Sequence, residues 1–187
     1  MLMTIIWGAL VGGAIAWVWG AISWMALPWH HATFRAFSNE DELERVVRTS
    51  CPESGVYGLP APPKSSPGMD KAARATADRA AQARMMSGPI VTAIVQRGGF
   101  GSVPLAMLRA FAIYAVAGSV MTWVAIKTDG QYWDSVGVVT AMGLAAGLIC
   151  RVTDWNWHGY SSAYTAVNVM DHTVGALLMG LGLAAIV

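Results

Sequence analysis

Charged residues are scarce in this sequence. Lys, Arg, Asp and Glu make up 12% of the 187 residues and hydrophobic residues 55%, whereas about a quarter of an average soluble domain is charged. The net charge is +1, so the composition implies no nucleic-acid partner. With a mean hydropathy of +0.47 and 9 Trp, 20 Gly and 11 Met, the chain is typical of a small integral membrane protein in contact with a lipid bilayer.

Lys and Arg are absent from the N-terminal stretch. Residues 2–27 form an uncharged apolar run, longer than the ~20 residues needed to span the hydrocarbon core of a bilayer. A cleaved signal peptide has a basic start and a shorter apolar stretch, and no small-x-small cleavage site precedes Pro28. We therefore expect residues 1–27 to form a retained transmembrane helix.

Three more apolar segments follow a polar stretch. The first starts at Pro104, a residue suited to a first helical turn. The second is short for a span, but Trp133 and Arg151 flank it as interfacial anchors do. The predicted bounds are residues 104–126, 135–150 and 167–187. The fold class expected is thus mainly α, a polytopic membrane protein with four transmembrane helices, the last three within residues 104–187.

Between the first two helices, residues 28–103 carry folding signals of their own. A capping box at Ser38-Asn39-Glu40-Asp41 predicts a short amphipathic helix that ends at Cys51. The other predicted elements are strands at 55–59 and 90–96, a helix at 70–86 and a proline-rich turn at 61–70. We predict a small α+β extramembrane insertion that depends on the helices or on a partner for stability.

An even number of spans places residues 28–103 and 151–166 on one side of the membrane. Basic residues near the span ends favour that side, with Arg35, Arg97 and Arg151 against Lys127. The positive-inside rule therefore indicates a cytoplasmic location for residues 28–103.

Small residues recur every four positions in two of the predicted helices. They are Gly8, Gly12, Ala16 and Gly20 in the first helix, and Ala176, Gly180 and Ala184 in the fourth. Such stripes let another backbone approach closely. We interpret them as packing surfaces within the bundle, with a dimer interface as the alternative.

Two charged residues fall inside the predicted helices at matching depth. Arg109 lies near one end of the second helix, and Asp171 near the same end of the fourth. A charge at that depth is costly unless it is paired or reaches the headgroups. We predict an intramembrane ion pair between Arg109 and Asp171, with Arg109 reaching the headgroups as the alternative.

Histidines and tryptophans cluster on the side that holds residues 28–103. Imidazole and carboxylate are ligands for zinc, copper, iron or haem, so a metal site is one hypothesis, with His30, His31, His158, His172 and Asp171 as its candidate ligands. The spacing matches no known ligand signature. Interfacial anchoring is the alternative, with Trp24, Trp29, Trp133, Trp155 and Trp157 as predicted anchors.

Reactive motifs are lacking. GGFGS at 98–102 has Pro104 where a phosphate-binding loop has its third glycine, and GYSSA at 159–163 follows no strand, as a nucleophile elbow would. Cys51 and Cys150 are expected to be free thiols if their side is cytoplasmic. We therefore expect no catalytic residues and no enzymatic activity, and the sequence requires no cofactor.

The strings ALPWHHATFRAF, SGVYGLP, SGPI, TDWNWHGYSSAYT and DHTVGALLMGLGLA resemble a family of small bacterial four-helix integral membrane proteins. The resemblance covers nearly the whole chain and implies a multi-pass protein of the bacterial inner membrane. The family has no established activity, so no site residue carries over. It also suggests that WHHATF and NWHGY share one surface.

These observations rank the functions. The leading hypothesis is a non-enzymatic accessory or scaffold subunit of a larger bacterial membrane complex, for instance an energy-transducing or photosynthetic one, bound to other membrane subunits. A metal- or haem-binding protein that uses the interfacial histidines is the second. A small transporter is the third, supported by the Arg109–Asp171 pair alone.

Overall fold

The computed structural model describes residues 1–61, 70–128 and 130–187. The chain is mainly helical and forms two compact units, residues 1–35 with 102–187, and residues 36–101. The described residues include four helices long and apolar enough to cross a membrane and one two-stranded sheet. This coarse architecture confirms the mainly helical prediction.

The first unit holds the long helices. They are α1 (Leu2–Ala21), α4 (Val103–Lys127), α5 (Tyr132–Gly147) and α7 (Ser162–Leu183), with the short α6 (Thr153–His158) before α7. Two π-helical turns extend α1 and α5, at Ile22–Ala26 and Leu148–Val152, and a 3₁₀ turn follows at His31–Thr33. The second unit contains α2 (Glu40–Ser50), β1 (Gly55–Leu59), α3 (Lys71–Ser87) and β2 (Val91–Val95).

The third long helix is longer than the predicted 135–150. It begins at Tyr132 because Gln131 and Asp134 form a reciprocal capping box, in which the Gln131 backbone N–H donates to Asp134 Oδ2 at 2.7 Å. Helical structure then continues through the π turn and α6 to His158. It stops at Gly159, whose φ of 71° is left-handed. The polar residues that indicated a loop after Cys150 therefore lie on a helix.

The fourth long helix begins earlier than the predicted residue 167. The side chain of Ser161 accepts a hydrogen bond from the Tyr164 backbone N–H at 3.2 Å, so it caps α7. The predicted loop of residues 151–166 thus shrinks to a short turn between α6 and α7.

Close helix packing builds the first unit. α1 packs mainly on α4 and also on α7, and α5 packs on α7. A Cβ added at Gly8 would overlap the Thr122 side chain, and one added at Gly143 would overlap Ala176. The core comprises Ala16, Ala125, Val139, Met179 and Leu183. The predicted stripe residues thus include positions where two backbones come close.

The second unit has the predicted α-β-α-β order. Asn39 caps α2 and Asp70 caps α3, each through its side-chain oxygen. β1 and β2 pair antiparallel, in a register that runs from Gly55↔Val95 to Leu59↔Val91. The proline-rich turn predicted for residues 61–70 lies outside the described residues except at its ends.

Candidate functional site

A buried polar network joins the end of α1 to α7. Ser23 Oγ donates to Asp171 Oδ1 at 2.6 Å, and His30 Nε2 lies 3.0 Å from Ser23 Oγ and 3.4 Å from Asp171 Oδ2. Ser23 and His30 are both 0% exposed. Three polar side chains from distant parts of the chain therefore share one dry site.

Local chain geometry places these groups. Ser23 lies in the π-helical turn, where the Leu27 N–H donates to the Ile22 carbonyl five residues earlier. Leu27 is extended, as expected before Pro28, and the chain then turns back so that His30 reaches Ser23. The 3₁₀ turn after it is closed by Thr33 Oγ1, which donates to the His30 carbonyl at 2.7 Å.

The hydrogen bonds define the proton position on the imidazole. With Asp171 ionised, Ser23 donates its only proton to the carboxylate and accepts from Trp29 Nε1 at 3.1 Å. His30 Nε2 must therefore carry a proton and donate to Ser23 Oγ. His30 Nδ1 is buried without a partner among the described residues.

Aromatic rings enclose the imidazole. Trp24 stacks on His30 with ring centroids 3.9 Å apart and planes 8° apart, and Trp29 meets it edge-on at 5.8 Å. On the other side of the network, Trp19 Nε1 donates to the Asp171 backbone carbonyl at 3.2 Å. The rings exclude water, which strengthens the hydrogen bonds inside.

Serine, histidine and aspartate together invite comparison with a hydrolytic triad. In such a triad the two ring nitrogens of histidine contact different partners, one the serine and the other the carboxylate. Here Ser23 and Asp171 both lie at His30 Nε2, and Ser23 is fully buried. The geometry gives Ser23 no base and no access to a substrate, so the network is structural and electrostatic.

A cavity of about 350 Å³ adjoins the network. α1, α4, α5 and α7 all contribute to its wall. Its polar lining consists of Trp19, Tyr114, Arg151, Asn168, Asp171 and His172. Asp171 thus belongs to both the buried network and the cavity.

The predicted ion pair between Arg109 and Asp171 is wrong. The side-chain partners of Asp171 are Ser23 and His30, and Arg109 forms no ion pair among the described residues. At 100° per residue, Arg109 lies about 140° around α4 from Tyr114, the residue that faces the cavity. The two charges share a depth but not a direction, and Arg109 is exposed.

The predicted metal ligands do not converge. In the described part of the chain, no three His, Cys, Asp or Glu side chains group closely enough to hold a metal ion. His30 and Asp171 meet, and His172 lines the same cavity as Asp171. His31 is exposed, and His158 pairs with a carboxylate of its own helix at 3.1 Å. The hypothesis of a shared metal site at these five residues loses its geometric basis.

The tryptophans predicted as interfacial anchors fall into two groups. Trp133, Trp155 and Trp157 are exposed on the helices, as anchors need to be. Trp24 and Trp29 contact His30 and Ser23, so they belong to the polar network. Both cysteines are free thiols.

The second unit has an uncovered apolar surface. None of the described residues of α2, α3, β1 or β2 is buried. Val56 and Ile94 are paired across the sheet and are 73% and 78% exposed. Phe100 and Met86 are also exposed. This unit therefore buries too little apolar surface to be stable by itself, since an isolated hairpin is marginal at best.

Comparison with known proteins adds no relative. The chain matches no protein-family model, no curated protein and no solved structure. The resemblance to small bacterial four-helix membrane proteins stays an expectation. Function must therefore be argued from the polar network, the cavity and the uncovered apolar surface.

Proposed function

We propose that this protein is a multi-pass membrane protein and a non-enzymatic accessory subunit of a larger membrane complex. The observation that carries the proposal is the lack of a core in residues 36–101. These residues form defined helices and a sheet, yet they leave Val56 and Ile94 largely exposed. Burying two such side chains stabilises an association by roughly 1.5–3 kcal/mol each.

The location of the exposed residues favours a protein partner. Val56 and Ile94 form a cross-strand pair on one sheet face, and in the described residues β1 and β2 pair only with each other. A sheet with free edges and an apolar face is a surface to which another chain adds readily. The partner proposed is a subunit of the same complex that covers this face.

Membrane topology provides the first test. Four membrane-crossing helices place residue 70 and residue 160 in one compartment and residue 130 in the other, because two spans separate the first pair and one span separates each from residue 130. Reporter fusions at the three positions measure this directly. Opposite compartments for residues 70 and 160 would refute the four-span topology.

Purification from native membranes in mild detergent tests complex membership. The expected particle is much larger than the 19.8 kDa chain and contains other subunits in fixed ratio, as measured by light scattering and mass spectrometry. Val56→Thr with Ile94→Thr keeps β-branched side chains and hence the strand preference. We expect this double variant to lower the retained partner at least tenfold.

The control is Arg79→Thr, an exposed position on α3 of the same unit. It should leave the complex intact, because it removes no apolar surface. A wild-type chain that purifies alone, or a double variant that retains the partner as well as Arg79→Thr does, contradicts the proposal.

A further inference from the structure

The cavity beside Asp171 has the size of a small ligand site. Its volume of about 350 Å³ is roughly ten times the ~30 Å³ share of one water molecule. Ligand pockets span about 300–1,000 Å³, so this one suits a single ring system with short substituents. The enclosing helices are long and apolar enough to cross a membrane, so a ligand arrives there from lipid.

Most of the cavity wall is apolar and soft. Ala117 and Met121 line it from α4, and Ala146 and Met179 line it from α5 and α7. Methionine sulfur makes favourable contacts with aromatic rings, and indole faces stack on them. Trp19 and Trp24 also line the cavity. A flat unsaturated ring fits these walls better than a branched or strongly polar molecule.

Three hydrogen-bond donors line the cavity without being used by the protein. The Tyr114 hydroxyl and the His172 ring make no hydrogen bond within the described residues, and Arg151 Nε is buried there without a partner. The nearest carboxylate to Arg151 is Asp154, with Nη1 and Oδ2 3.8 Å apart. An acceptor oxygen on the ligand would satisfy these donors.

The charges in the wall disfavour an ionic ligand. Asp171 and Arg151 both line the cavity, so an anion meets the carboxylate and a cation meets the guanidinium. The Asp171 carboxylate is also already bonded by Ser23. A neutral acceptor such as a ring carbonyl avoids both repulsions and still receives hydrogen bonds.

We propose that this cavity binds the carbonyl-bearing ring of a neutral, lipid-soluble quinone. The hydroxyl of Tyr114 and the side chains of His172 and Arg151 are the donors to its carbonyl oxygens. The proposal concerns binding and stands independently of any partner subunit, because every residue involved belongs to the helical unit.

Equilibrium dialysis of 2-methyl-1,4-naphthoquinone against the full chain in phosphatidylcholine nanodiscs tests it. We expect saturable binding of one quinone per chain. Tyr114→Phe removes one donor and should weaken binding about fivefold, whereas Tyr160→Phe, outside the cavity, should not change it. Ala117→Phe fills the cavity and should abolish binding, whereas Ala112→Phe on the exposed side of α4 should not.

Three results would overturn the proposal. They are uptake by the wild type that matches empty nanodiscs, binding by Ala117→Phe equal to that by Ala112→Phe, and displacement of the quinone by laurate or dodecylammonium as effective as displacement by unlabelled naphthoquinone. Thermal unfolding of each variant separates loss of binding from loss of fold. If Tyr114→Phe fails to fold, the pair at positions 112 and 117 decides.

Discussion

Gly143→Ala is expected to destabilise the helical unit by about 1–3 kcal/mol or more, the usual cost of overpacking a close contact. A Cβ at this position would overlap the Cβ of Ala176 and lie 2.9 Å from the His172 carbonyl oxygen. The backbones of α5 and α7 would have to separate, which weakens the interface between the two helices. Unfolding of the purified protein in detergent, followed by circular dichroism, measures the loss.

Gly137 provides the matched control on the same helix. A Cβ added there meets nothing within 4 Å, so Gly137→Ala should stabilise the protein slightly, by up to ~1 kcal/mol from helix preference. The same substitution is thus expected to have opposite signs at the two positions. Ala176→Gly in the Gly143→Ala background should restore part of the loss. Equal effects at Gly143 and Gly137 would show that α5 and α7 do not pack as described.

His30→Ala is expected to cost about 3 kcal/mol, the range found when one partner of a buried charged pair is removed. The imidazole is 0% exposed, contacts Ser23 and Asp171, and is stacked on Trp24. Its removal leaves the Asp171 carboxylate with one donor fewer in a dry site and opens a void between the rings. The same unfolding experiment gives the magnitude.

His158 offers the same residue type in an exposed pair. It lies 3.1 Å from Asp154 Oδ1, and the side chains are 48% and 28% exposed. His158→Ala should therefore cost less than ~1 kcal/mol. Similar losses for His30→Ala and His158→Ala would mean that the buried network contributes little to stability.

Hydrophobic runs were sufficient to predict the four long helices, because length and apolar content alone decide whether a helix is able to cross a bilayer. Strand and cap signals also predicted the order of elements in residues 36–101. Helix ends were harder to predict. Arg151 and Asp154 indicated a loop, yet they lie on exposed faces of continuing helix, since polarity does not distinguish a loop from a helix end.

The network was predicted only in part. His30 and Asp171 were singled out for their charge, but each was assigned to another site. The matching depth of Arg109 and Asp171 described position along the helix axes and not direction around them. Ser23 was missed, although a hydroxyl in an uncharged run was a signal to weigh. Its partners depend on a turn back at Pro28 that spacing alone does not predict.

The π-helical turn Ile22–Ala26 has a consequence for how relatives of this chain are compared. One extra residue in a helix adds only ~1.5 Å to its length but rotates the residues beyond it by about 100°. A homologue one residue shorter in this stretch would keep an equally long apolar segment, yet would present His30 and Trp29 in a different direction from Ser23. The polar contacts are encoded by the phase of the chain, a quantity to which a hydropathy profile is blind.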